Sequence, residues 1–233
     1  MPTSELCAIL KTKRDFIQTF FVALLVTTLL PFVVHAIDWH KIQAQFRQLG
    51  GKPNNLQAWQ RILQQTKDLP APEKLKRVND FFNQHIEFGD DIGVWGQIDY
   101  WATPIEMLAK GKGDCEDFVI AKYFTLLQLQ VPNESLRLIY VKAKLGSAQQ
   151  PLVQAHMVLA YYPSPDAEPQ ILDNLVGEIR PASRRTDLLP VFSFNNQGVF
   201  AGVAANATLG PGGVGRLSRW QDLLKRAHDE GFD

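Results

Sequence analysis

A single change of hydrophobic period divides this chain. Up to about residue 130 apolar residues recur three or four positions apart, and after Pro132 they alternate. Ile42, Phe46 and Leu49 form a first helical stripe, closed by Gly50 and Gly51. Leu56, Trp59, Ile62 and Leu63 form a second that ends at Pro70 and Pro72, and Leu75, Val78, Phe81, Phe82 and Ile86 a third. Residues 89–102 are rich in glycine and aromatics and read as an irregular loop. Thr103-Pro104-Ile105-Glu106 is a helix start: threonine caps, proline suits the first turn, and glutamate closes a capping box. Gly111 and Gly113 stop that helix, and another is expected from Asp114 to about Gln130. Beyond it Leu136–Ala143, Val153–Tyr161 and Gln170–Leu175 read as strands, the last two joined by the turn-rich segment 163–169. A glycine-rich loop, 210–215, precedes a final helix at about 217–228. Helices first and antiparallel strands afterwards predict an α+β fold. We place it in one domain, 37–233, with a helical part to about 130 and a sheet part over about 135–205.

Residues 1–36 read as a targeting segment. Lys11, Lys13 and Arg14 precede an almost wholly apolar run from Phe16 to Val34, and Val34-His35-Ala36 offers small residues at a cleavage site. The run is also nearly long enough to stay in a bilayer as an uncleaved anchor. In either case the body of the protein is expected to be exported. The 24 basic and 24 acidic residues cancel, so no charge excess calls for nucleic acid.

Export makes the cysteine count informative. There are two, Cys7 and Cys115, and Cys7 lies in the targeting segment, so the exported body has one thiol and no internal disulfide. Cys115 sits in Gly113-Asp114-Cys115-Glu116-Asp117, at the expected start of a helix. There the helix dipole and free N–H groups favour a thiolate and can donate to an oxyanion, and Gly113 leaves room for a substrate backbone. A thiol nucleophile needs a base. Of His40, His85, His156 and His228, only His156 falls within a predicted strand. A hairpin centred between Ser164 and Pro165 would put Asp173 directly opposite His156, on the same face, where it can orient the imidazole.

The runs Trp101–Glu106, Gly113–Asp117, Ala121-Lys122-Tyr123, Ala155-His156-Met157-Val158 and Leu172-Asp173-Asn174 together resemble the LapG-type bacterial transglutaminase-like cysteine proteinases. The resemblance spans roughly residues 75–195. It implies a papain- or transglutaminase-like core and a Cys115, His156, Asp173 triad. It also implies a periplasmic endopeptidase that cuts the N-terminal region of a large surface adhesin and so disperses biofilm. A membrane receptor for cyclic di-GMP would sequester the enzyme. A monomer is expected. An amide acyltransferase could use the same triad, and a non-catalytic calcium-binding module is a third reading.

The acids beside the thiol raise an electrostatic problem. Asp114 and Asp117 suit the helix cap, yet carboxylates near a thiol oppose its ionisation. A bound cation resolves the conflict, and oxygen ligands suit calcium. The resemblance implies calcium held by Asp114, Glu116 and Asp117, with Asp90, Asp91 and Asp99 of the preceding loop as candidates to complete the shell.

Overall fold

The computed structural model describes residues 37–147, 150–200, 202–204, 207, 208, 210 and 217–232. The targeting segment, Cys7 and most of the glycine-rich loop fall outside them. Three amphipathic helices come first: α1 (Trp39–Gln48), α2 (Pro53–Thr66) and α3 (Ala71–His85). Each turns the expected stripe inward, with Ile42, Phe46, Trp59, Val78 and Phe82 among the most deeply buried. Burying each such side chain contributes about 1.5–3 kcal/mol.

The loop that follows is more ordered than its composition suggests. It opens on a short strand, β1 (Glu87–Phe88), and holds a one-turn helix, α4 (Asp91–Trp95), capped by Asp90 and closed by Gly96 in the left-handed region. Helix α5 (Pro104–Lys110) has the expected capping box, with the Thr103 side chain accepting from Glu106 N–H and Glu106 accepting from Thr103 N–H. Strand β2 (Lys112–Gly113) pairs in parallel with β1 and delivers the chain to α6 (Cys115–Gln128). Every residue of α6 from Asp117 to Leu126 is buried, so this helix is covered all round. It packs on α3 and on the sheet, and Trp59 Nε1 donates to Thr125 Oγ1 across α2 and α6 at 2.9 Å.

The sheet comprises β3 (Leu136–Ser147), β4 (Gln150–Tyr161), β5 (Gln170–Leu172), β6 (Arg180–Pro181), β7 (Leu188–Asn195) and β8 (Gly198–Phe200), in the antiparallel order β6-β5-β4-β3-β7-β8. Leu138, Met157, Leu159, Leu172 and Phe194 face the helices. Ile139, Val141, Val158, Ala160 and Ile171 form a smaller core on the other face. The last helix, α7 (Ser218–Glu230), buries Trp220, Leu223 and Ala227 in the main core.

Two expectations need correction, and one strand was not foreseen. The hairpin turns one residue later than expected, because Leu159 pairs with Leu172 and Tyr161 with Gln170, and β5 ends before Asp173. That register carried on would put Asp173 opposite Val158, two residues from His156. A slip of two leaves both on one face, whereas a slip of one would have parted them. Secondly, α6 ends at Gln128, two residues short of the expected end, while Asp114 caps its start as expected. Lastly, the sequence reading did not single out β7, whose Pro190 lacks the N–H a central strand needs. The proline is accommodated by a register shift, where Tyr140 pairs with Phe192 and Val141 with Pro190.

Candidate active site

Cys115 is the first residue of α6, and its half-buried side chain is the only free thiol among the described residues. A Cβ on Gly113 would lie 2.8 Å from Asp117 Cβ and Oδ2, so the glycine makes room for Asp117 rather than for a substrate. Asp117 Oδ1 accepts from Ala102 N–H at 2.7 Å and Oδ2 from Asp114 N–H at 3.4 Å, which ties the 99–103 segment to the helix start.

The thiol donates to Glu116 Oε2 at 2.8 Å, and the Met157 backbone N–H points at its sulfur. That N–H belongs to the part of β4 beyond the end of β5, so α6 meets β4 beside His156. Burial, Glu116 and Asp114 push the thiol well above its ordinary range, and the Met157 N–H only partly opposes them.

His156 is 3% exposed and Asp173 fully buried, and their side chains meet, His156 Nε2 to Asp173 Oδ1, at 2.8 Å. Asp173 Oδ1 also accepts from Leu175 N–H at 3.0 Å, and Oδ2 from Arg185 Nη2 at 2.7 Å. Burial alone would raise the Asp173 carboxyl. The hydrogen bonds from His156, Leu175 and Arg185 overcome it and hold the group at about 2. A buried carboxylate is thus ionised next to the Nε2 side of an imidazole.

The acids near Cys115 behave in the opposite way. Single carboxylate oxygens of Asp91, Asp114 and Asp117 all lie within 4.8 Å of one another. Asp91 Oδ1 and Asp114 Oδ1 are buried without a partner. Burial first, and then the neighbouring carboxylates Glu116, Asp117 and Asp91, raise Asp114 to about 9; Asp117 is pushed well above its usual range and Asp91 upward. Three converging carboxylates, two buried and one half-buried, with an orphaned oxygen on Asp91 and on Asp114, are costly alone and are the donor set a hard cation takes. These residues fit a metal ion.

Comparison with known proteins decides the family. The family model of the bacterial transglutaminase-like cysteine proteinases matches residues 53–188, more than half of the chain. The chain belongs to that family. Among solved structures, calcium-bound LapG of Legionella pneumophila is 39% identical, the match covering 80% of this chain and 97% of that one with a TM-score of 0.66. The EGTA-treated form of the same protein is 38% identical, with 80% and 96% covered and a TM-score of 0.66. Comparison with curated proteins gave no match.

Within this transglutaminase-like proteinase the predicted site residues sort into two groups. His156 and Asp173 are joined directly, and Cys115 lies against the residue after His156. Asp114 and Asp117 are brought together, but the third member is Asp91, while Glu116 instead bonds the thiol. Asp90 caps α4 and Asp99 pairs with Arg219 at 2.8 Å. His85 is bonded to Phe81 O in its own helix and is stacked on that ring. Among the aromatics of the loop before α5, Trp101 Nε1 donates to Asp99 and Tyr100 Oη to Glu106, whereas Trp95 Nε1 is buried without a partner among the described residues. Trp101 packs on Phe194 and Trp220 rather than standing at the surface. Arg185 escaped the sequence reading, since no motif flags an arginine in a turn 12 residues after Asp173.

Proposed function

We propose that this proteinase is a periplasmic, calcium-dependent endopeptidase that cuts the N-terminal region of a large surface adhesin, and that Cys115, His156 and Asp173 carry the reaction. The observation that carries it is the buried His156–Asp173 bond beside a helix-terminal thiol. Asp173 accepts from Nε2–H, which leaves the Nδ1 lone pair to take the Cys115 proton. The thiolate then attacks the scissile carbonyl, with the N–H groups at the start of α6 facing the oxyanion. His156 returns the proton to the leaving amine, and water, deprotonated by the same imidazole, hydrolyses the thioester.

Asp91, Asp114 and Asp117 would hold the calcium, and Glu116 is a further candidate. When bound, the ion supplies positive charge that offsets the acids opposing the thiolate. The calcium-bound form of the Legionella protein supports that choice of metal. Export rests on residues 1–36. Adhesin cleavage and sequestration by a cyclic di-GMP receptor rest on the family resemblance. No helix among the described residues is long and apolar enough to cross a membrane.

Incubation with adhesin N-terminal fragments, with calcium or with EGTA, tests the reading by mass spectrometry. Two peptides whose masses sum to the fragment plus water are expected with calcium only. Cross-linked products would replace the peptidase by an acyltransferase, and cleavage by Cys115→Ala would refute the nucleophile.

A further inference from the structure

Asp173 needs more than His156 to do its work. Its Oδ1 takes His156 Nε2 and Leu175 N–H, and in a fully buried site its Oδ2 depends on Arg185. Arg185 is itself held. Its backbone N–H donates to Ala182 O and its carbonyl accepts from Leu188 N–H, which fixes the turn between β6 and β7. Asp187 grips the guanidinium through Nε at 3.0 Å and Nη2 at 2.8 Å. The fork is therefore aimed before any substrate arrives.

We infer that Arg185 is a positioning residue for the peptidase: by holding Asp173 ionised and unrotated, it fixes which nitrogen of His156 carries the proton. The inference rests on the proposed roles of Cys115, His156 and Asp173. With Asp173 ionised, the neutral imidazole keeps its proton on Nε2 and Nδ1 accepts. A protonated Asp173 would donate to Nε2 instead, send the imidazole proton to Nδ1, and leave Cys115 without a base. The same loss follows if the carboxylate turns away from Nε2.

Other charged and polar groups lie near Asp173 without fixing its carboxylate. Lys122 of α6 is fully buried, and burial draws its amine down to about 7 against the charges of Asp173 and Asp80 of α3. Its Nζ has no hydrogen-bond partner among the described residues, so it attracts the carboxylate but does not orient it. Asn83 of α3 donates to the Asp173 backbone carbonyl, at 2.8 Å, not to the carboxylate.

The test compares the parent protein with Arg185→Met, Arg185→Lys and Asp187→Asn. The readouts are kcat and KM against pH on a cleaved fragment, and the pH dependence of Cys115 alkylation by iodoacetamide, which needs no substrate. Arg185→Met is expected to lower kcat about 10- to 100-fold, to leave KM within about twofold, and to move the acid limb of both profiles upward by a pH unit or more. Arg185→Lys and Asp187→Asn keep a buried cation and with it the fold, and each should move the limb less, in the same direction. Melting curves set the folded fraction of each. An acid limb that stays in place in every folded variant would overturn the inference. If Cys115→Ala still cleaves, the assignment of Cys115 as nucleophile fails, and the alkylation profile of the parent thiol still decides the role of Arg185.

Discussion

Asp117 and Asp173 are both fully buried, and their carboxyl groups are driven in opposite directions. Asp173 lies among donors: an imidazole, a backbone N–H and a guanidinium. Asp117 has backbone donors but also shares its space with Asp91 and Asp114, and Glu116 is near. One half of the site is complete in the protein alone. The other half leaves carboxylate oxygens of Asp91 and Asp114 without a hydrogen-bond partner among the described residues. Burial is common to the two, so the difference lies in what each carboxylate was given to bond.

The largest effects should come from the pre-organised half and from the thiol it faces. Cys115→Ala and His156→Ala are each expected to cost at least about 10⁴-fold in kcat, measured as fragment cleavage at equal folded fraction. Asp173→Ala should cost about 10²–10⁴-fold in kcat. By leaving Arg185 buried and short of a partner it should also cost about 3–5 kcal/mol of stability in denaturant unfolding. If Asp173→Ala were as stable as the parent, the contrast between the two halves would be lost.

Calcium should act on the other half. At a hundredfold excess over Kd it is expected to stabilise the fold by about 2.7 kcal/mol, read as a rise in Tm that EGTA reverses. Asp91→Asn together with Asp114→Asn should abolish that rise while keeping the metal-free protein folded, because the repulsion is removed with the ligands.

The pH dependence of stability sharpens the same comparison. Asp173 has its folded value depressed from 3.8 to about 2, so it contributes stability above about pH 4 that is lost as pH falls toward 2, about 2 kcal/mol in all. Asp114 has its folded value raised from 3.8 to about 9, so in the metal-free protein its contribution is present at low pH and is lost as pH rises from about 4 to 9. Unfolding midpoints taken from pH 4 to 9 should therefore fall in EGTA, and saturating calcium should flatten that slope. Equal slopes with and without calcium would remove the distinction. At the small end, His85→Ala should leave kcat within about twofold, since that ring is bonded to its own helix.

Much of this was legible in the sequence because it is written in short-range rules. The change from helical to alternating period located the boundary between helices and sheet. Thr103 and Glu106 announced their capping box, and Asp114 placed Cys115 in the first turn of α6. The parity of the strands put His156 and Asp173 on one face. Side-chain direction in a strand depends only on odd or even spacing, which survives a slip of two.

Tertiary structure decided the rest. The actual register depended on how the 163–169 turn closes, so His156 reaches Asp173 past the end of β5, not straight across. Asp91 joined Asp114 and Asp117, and not Asp90 or Asp99, because Tyr100 N–H and the turn of α4 aim that one carboxylate inward. Arg185 reached Asp173 from a separate turn. A strand containing Pro190 was accepted beside β3 because a register shift absorbed it. Each of these joins segments that are distant along the chain or fixed by a particular loop closure, and no local period encodes such a meeting. The sequence by itself determined which groups stand ready, and the packed chain determined which of them receive a partner.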